Sequence, residues 1–246
     1  MISSIHTAFK VIKCFSHKTQ ELGISEFAAI LGKNRSTVHH IVLTMYNEGV
    51  LVRTPNRKYR LGTKLLSWGE MVHEQYKSFF MATPIIDNLV KRTNEIVHLA
   101  IIENEEVSYL IKKEPNKPIN IATGIGTRQP LYCTGLGKAL LAFQSKSFID
   151  KVITKGMTKR TDNTIHTREK LIQELTQIRK QGYAIDNEEF EEGLFCIAAP
   201  IRDYMGNVVC AISVTGPEFR MNTERLSIRT SIVMSNAMNI SRQCDL

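Results

Sequence analysis

The chain has 246 residues, 43% hydrophobic and 23% charged, which is the balance of an ordinary globular protein with room for two modest domains. Its formal net charge of +8 is concentrated early: residues 1–75 hold ten Lys/Arg against five Asp/Glu, and five of the seven histidines, the footprint of a nucleic-acid-binding module. No apolar stretch is long enough for a membrane helix or a signal peptide, and Cys14, Cys133, Cys196, Cys210 and Cys244 stand singly, so neither a disulfide framework nor a zinc site is expected and a cytoplasmic setting is.

In chain order, Ser3 or Ser4 is expected to cap a first helix with an apolar stripe of Ile5, Ala8, Phe9, Ile12 and Phe15. Ser25 is expected to cap a short second helix, Glu26 to Leu31, with Glu26 favoured by the helix dipole. Gly32-Lys33-Asn34 turns into a third helix, Arg35 to Glu48, whose buried face is Val38, Ile41, Val42 and Met45, and Gly49 ends it. Two strand-like runs, Val50–Arg53 and Lys58–Leu61, then flank Thr54-Pro55-Asn56-Arg57 as a basic hairpin.

That order describes a winged helix-turn-helix over residues 1–62. Opposite the buried stripe of the third helix, Ser36, Thr37, His39 and His40 are candidates for reading base edges in the major groove. Arg35, Arg57 and Lys58 are candidates for phosphates, because charge on a flexible stem positions a protein without reading sequence. Ser25, at the head of the second helix, completes the DNA-facing set.

After the hairpin, KYRLGTKLLSWG (58–69) closely resembles the wing-to-linker signature of the bacterial IclR-type transcriptional regulators. The resemblance implies a linker helix over 63–75, a place for two subunits to meet, followed by an effector-binding domain over 76–246. It also implies an Arg where His40 stands, so the contact made there differs in this chain.

Further along, a helix capped by Thr83 and opened by Pro84 is expected to Arg92, followed by strands at 96–102 and 107–111 across a polar turn at 103–106. Helices follow near 137–143 and over 168–181 behind Thr167, strands near 183–186, 195–202 and 208–215, and a last helix near 223–240. Strands in adjacent pairs favour an antiparallel α+β domain over a Rossmann arrangement. The blocks TRQPLYCTGLGKALLA (127–142), GYAIDNEEFEEGLFCIAAPIRD (182–203) and VVCAISVTGP (208–217) extend the same resemblance along nearly the whole chain, and with it the expectation of a GAF/profilin-like fold.

Gly135-Leu136-Gly137-Lys138-Ala139 is not a phosphate loop, since Tyr132 stands where the first glycine is needed and Ala139 where the magnesium-binding hydroxyl is needed. A glycine turn opening a helix does suit a small carboxylate. The resemblance places an effector pocket at Gly135, Leu136, Asp186, Leu194, Cys196, Ser213 and Thr215, where Thr215 replaces a serine of some relatives. Asp186, as an ionised carboxylate, would repel an acidic effector unless it accepts a hydrogen bond from a hydroxyl. The acidic run of Asp186, Glu188, Glu189, Glu191 and Glu192 contains no histidine, so a solvated turn is expected there rather than a metal site.

These features point to a cytoplasmic, sequence-specific regulator, a dimer or tetramer, with operator DNA and a small organic or sugar acid as partners and no cofactor. The rival is a cysteine-dependent enzyme with an accessory DNA-binding head, using Cys133 or Cys196 as nucleophile and His98 or His166 as base.

Overall fold

The computed structural model describes residues 2–116, 121, 123–222, 224 and 226–243, and divides between Tyr76 and Lys77 into two compact units. Cys244 and Thr223 lie outside the described residues.

The first unit is built from α1 (Ser3–Lys13), α2 (Ile24–Leu31), α3 (Arg35–Asn47), β1 (Leu51–Arg53), β2 (Tyr59–Leu61) and α4 (Lys64–Gln75). Its core joins Val11 of α1, Phe27 of α2, Val38 and Val42 of α3, and Leu51 and Tyr59 of the hairpin. Two expectations for its helix starts need correction. Ile2, not a serine, precedes α1, and no side chain caps it. α2 begins two residues earlier than expected, with Gly23 at its cap and Ser25 exposed inside the first turn; Glu26 Oε2 accepts the Gly23 N–H at 2.6 Å and so does the work assigned to Ser25.

The buried face of α1 is Thr7 and Val11, with Ala8, Ile12 and Phe15 partly buried, while Ile5 and Phe9 point outward. A helix turned by some 100° per residue cannot bury both flanks of a wide stripe. The α2–α3 turn passes through Gly32 in the left-handed region (φ 61°), and Val50 follows Gly49 at φ 74°, as a chain leaving a helix requires. β1 and β2 pair antiparallel, Leu51 opposite Leu61 and Arg53 opposite Tyr59, and Leu22 adds a bridge to Tyr59.

The second unit is a six-stranded antiparallel sheet with helices on both faces. It contains α5 (Lys77–Phe80), α6 (Thr83–Thr93), β3 (Ile96–Glu103), β4 (Glu106–Lys113), β5 (Arg128–Gln129), α7 (Gly135–Leu141), α8 (Lys146–Thr154), α9 (Arg168–Gln181), β6 (Ala184–Asn187), β7 (Leu194–Arg202), β8 (Val208–Pro217), α10 (Glu218–Met221) and α11 (Leu226–Gln243). Strand order is β5-β4-β3-β8-β7-β6. Thr83 is a correction: it lies inside α6, after Ala82, and its hydroxyl donates back to the Phe80 carbonyl. Thr167 does cap α9, accepting the Lys170 N–H.

Cross-strand register decides which residues share a face. Asp186, Cys196, Thr215 and Ile96 lie in one row across β6, β7, β8 and β3. Ala184, Ala198, Ser213, His98 and Lys112 form the next row, reaching β4. α7 packs on this face, and the residues beneath it (Ala184, Ala198, Ala211 and Ala100) are small. α6 and α11 pack against the sheet as well, α6 on β3 and α11 on β7 and β8. By the two-residue alternation of a strand, Phe195, Ile197, Ile212 and Val214 face away from α7.

Candidate DNA-binding and effector-binding sites

On α3 the burial of Val38, Val42 and Met45 leaves Arg35, Ser36, Thr37, His39 and His40 all exposed, on the half of the helix that begins at the turn. The rings of His39 and His40 lie edge to face with centroids 5.9 Å apart. At the hairpin tip Arg57 sits in the left-handed region (φ 57°), its N–H donating to the Thr54 carbonyl, so its side chain projects from a tight, hydrogen-bonded turn.

Lys58, the other phosphate candidate of the wing, already has a partner. Its Nζ forms an ion pair with Glu26 Oε1 at 2.9 Å, tying the wing to the first turn of α2. This lysine and the Gly23 N–H together hold the Glu26 carboxyl below its usual range. A phosphate must therefore compete with Glu26 for Lys58, whereas none of the ion pairs found among the described residues involves Arg35 or Arg57.

In the second unit, all seven residues expected in the effector pocket line one cavity between α7 and the sheet, with about 30 Å³ of room. α7 brings Gly135 and Leu136, β6 brings Asp186, β7 brings Leu194 and Cys196, and β8 brings Ser213 and Thr215. Six further residues complete the wall and were not foreseen: His98, Tyr109, Ile121, Thr123, Thr134 and Phe190. Thr134 had a readable signal, a hydroxyl three residues before a helix glycine. It caps α7 by accepting the Gly137 N–H at 3.1 Å while donating to the Pro130 carbonyl. Glycine is required at both α7 positions by close approach. A Cβ on Gly135 would lie 2.8 Å from Cys196 Sγ, and one on Gly137 would lie 2.5 Å from the Leu131 carbonyl oxygen.

The polar lining is unevenly satisfied. Asp186 Oδ1 accepts the N–H groups of Glu189 (2.8 Å) and Phe190 (3.3 Å). His98 Nε2 pairs with Thr123 Oγ1 at 2.9 Å. Ser213 Oγ is buried on the wall with no oxygen or nitrogen partner, only the weakly bonding Cys196 thiol beside it, an arrangement that costs stability unless something else supplies a stronger bond. Burial, then the charge of Lys112, pushes His98 down to about 3, so its ring is neutral. Burial, then repulsion from Glu189, pushes Asp186 up to about 7, against the pull of Lys138 and its two backbone donors.

The acidic run departs from the solvated turn expected of it. Glu191 and Glu192 are exposed, but Asp186 and Glu189 are buried. The reason is Lys138, fully buried on α7, whose Nζ bonds Glu189 Oε1 and reaches Glu174 Oε1 on α9 at 3.0 Å. Burial alone would depress the lysine, but the charges of Glu189 and Glu174 outweigh it and raise its pKa. Glu189 Oε2 is left buried and unpartnered, and burial raises this carboxyl in spite of Lys138.

As for the proposed nucleophiles, burial, then the charge of Asp186, pushes Cys133 and Cys196 up to about 12, which leaves both as inert thiols. His166 is occupied with the Thr164 carbonyl at 2.9 Å.

A winged helix-turn-helix joined in one chain to an antiparallel domain with a small, mostly apolar cavity that holds a few polar groups defines a DNA-binding transcriptional regulator. Residues 4–55 match the family model of the IclR helix-turn-helix domain, and residues 75–242 match that of the bacterial transcriptional regulator IclR C-terminal domain. The chain belongs to the IclR family of transcriptional regulators, and is not an enzyme. It is 32% identical to the HTH-type transcriptional regulator KdgR of Escherichia coli over 98% of this chain and 92% of that one. Among solved structures, the Thermotoga maritima IclR is similar with a TM-score of 0.85, 28% identity and full coverage of both chains. An IclR homolog from Microbacterium hydrocarbonoxydans, complexed with 4-hydroxybenzoate, shares the fold with a TM-score of 0.81 at 24% identity, over 97% of this chain and 98% of that one.

Proposed function

We propose that this regulator is cytoplasmic and changes its affinity for operator DNA when a small organic or sugar acid binds the cavity walled by Gly135, Leu136, Asp186, Leu194, Cys196, Ser213 and Thr215. The observation that carries the reading is the convergence of these residues, from four separate elements, on one cavity whose wall holds the Ser213 hydroxyl with no oxygen or nitrogen partner. A ligand oxygen supplies the missing bond at a buried group that otherwise costs free energy. Apolar walls from Leu136 and Leu194 shape the remainder, and since about 30 Å³ holds little more than one water, the wall opens to admit the acid.

In the head, Ser36, Thr37, His39 and His40 read base edges from the exposed face of α3, with Arg35, Arg57, Lys58 and Ser25 on the backbone. The domains are 1–62 for DNA, 63–75 for the linker and 76–246 for the effector. α4 buries none of its residues and leaves Leu66, Trp68, Met71 and Val72 exposed, a surface suited to the partner subunit of a dimer or of a dimer of dimers. Two heads so joined fit half-sites one helical turn, or a multiple, apart, and the effector selects one placement of the pair.

The test is a thermal-shift screen of organic and sugar acids, followed by gel shifts on DNA upstream of the gene and its neighbours. An acid that raises Tm and also alters the DNA shift supports the reading. A DNA shift indifferent to every acid that raises Tm makes the protein a constitutive DNA binder and overturns it.

A further inference from the structure

The cavity presents an acid effector with an electrostatic difficulty. Among the described residues no Lys or Arg lines it, and its one ionisable anion is Asp186. The nearby cations are engaged elsewhere, Lys138 with Glu189 and Glu174, and Lys112 with Glu114 and the Thr123 carbonyl. Three carboxyls therefore share one ammonium in a largely buried cluster, and Glu189 still has a bare, buried oxygen. A fourth carboxylate entering from the cavity side would meet repulsion that the backbone N–H groups of Gly135 and Leu136, at the start of α7, offset only in part.

The orientation of Asp186 shows how this is resolved. Two backbone N–H groups claim Oδ1, so that atom stays an acceptor and any proton belongs on Oδ2, for which no hydrogen bond is found. We propose that Asp186 acts as a proton donor to the effector, its Oδ2 hydrogen shared with a ligand carboxylate, so that an acid effector binds with uptake of one proton by the protein. This rests on the acid-effector reading above. The site thereby selects monocarboxylates, because a second ionised group would find no second proton.

The groups facing Asp186 leave it as the one that titrates toward the ligand near neutrality. From β7 comes Cys196, pushed up to about 12, and from the stretch before α7 comes Cys133, pushed equally high. From β4 comes Tyr109, held by burial above the ordinary phenol value, and on β3 His98 is neutral. Lys138 of α7 is charged, with Glu174 of α9 beyond it, and Glu189 shares protons with Asp186 from the loop after β6. With Asp186 at about 7, the acid form is nearly complete at pH 6 and scarce at pH 8.

The experiment measures binding of lactate, gluconate and 4-hydroxybenzoate, with lactamide and 4-hydroxybenzamide as neutral counterparts, by calorimetry at pH 6 and pH 8 in buffers of differing ionisation enthalpy. The acids are expected to bind about tenfold more weakly at pH 8, with close to one proton taken up there and little at pH 6. The amides, which carry their own donors, are expected to bind alike at both values. Asp186→Asn keeps the acceptor for the two N–H groups and turns a permanent donor into the cavity, so it should bind the acids with no pH dependence.

Acids that bind wild type equally at both pH values without proton uptake overturn the inference and leave the acid-effector reading intact. Loss of acid binding in a folded Asp186→Asn makes the ionised carboxylate an acceptor and overturns it too. Persistent pH dependence in that variant puts the proton on Glu189 instead. Should no acid bind at either pH, the acid-effector reading fails first and takes this one with it.

Discussion

Replacing Lys138 with Met should be among the more damaging single changes in the second unit. The side chain is almost fully shielded from solvent, as is that of its partner Glu189, so the substitution leaves a buried carboxyl beside Asp186 with no cation. Breaking one side of such a pair costs about 3–5 kcal/mol, and for a domain of this size each kcal/mol lowers Tm by roughly 2–4 °C, a fall of about 6–20 °C. The loss should depend on pH. In the variant Glu189 keeps a folded-state pKa raised by burial, so the folded form holds the proton more firmly than the unfolded form. Stability is then greatest below the unfolded value and drains away as pH rises through the folded one, making the variant worse at pH 8 than at pH 5. Urea unfolding at both pH values, with the double variant Lys138→Met/Glu189→Met, checks each step. The double variant should regain most of the loss, since apolar replacement of both partners removes the stranded charge. A single variant within about 1 kcal/mol of wild type, or a double variant no better than the single, would refute the stranded-charge account.

In the head, Arg57→Ala should reduce the salt slope of DNA binding by about one for all sequences. Glu26→Gln, which frees Lys58, should strengthen non-specific binding; a fluorescence-anisotropy salt titration showing no gain removes the Glu26–Lys58 competition. Ser36→Ala and His40→Ala should each change preference at one operator position by about 1–3 kcal/mol, read by binding selection on randomised sites; uniform weakening would demote them to backbone contacts. Ser213→Ala deletes a hydroxyl whose one neighbour is the weakly bonding Cys196 thiol, so ligand-free stability should hold or rise by roughly 1 kcal/mol while acid binding weakens; a destabilised variant with unaltered binding would count against an effector contact there.

Much of the fold can be read from local chemistry. α3 and α9 are legible because their apolar spacing and flanking signals agree: Val38, Val42 and Met45 on one, and a Thr167 cap and a Gly182 stop on the other. The short elements α5, β5 and α10 are not legible, since four or fewer residues carry no period; the nine-residue α8 has a Ser145 cap but only two buried positions, Ile149 and Val152, to mark its face. Ser25 failed as a cap because glycine does the same with a neighbouring Glu to close the turn. The pocket residues found beforehand came from the resemblance and not from periodicity. Lys138 and Glu189 are invisible in one dimension: 51 residues separate them, and each alone reads as surface.

The sheet carries a division of labour with consequences for how such a receptor diversifies. Cys196, Ser213 and Thr215 turn toward the cavity, and their immediate neighbours Phe195, Ile197, Ile212 and Val214 turn the other way and are almost wholly excluded from solvent. Stepping one residue along β7 or β8 therefore crosses from recognition into the packed core and back. Point changes confined to alternate positions, exchanging a thiol, a hydroxyl or a methyl, can re-address the receptor to a new metabolite while the scaffold stays untouched. A slip of register by one would exchange the two roles wholesale, so the pairing that keeps the domain folded is also what keeps its chemical vocabulary in order.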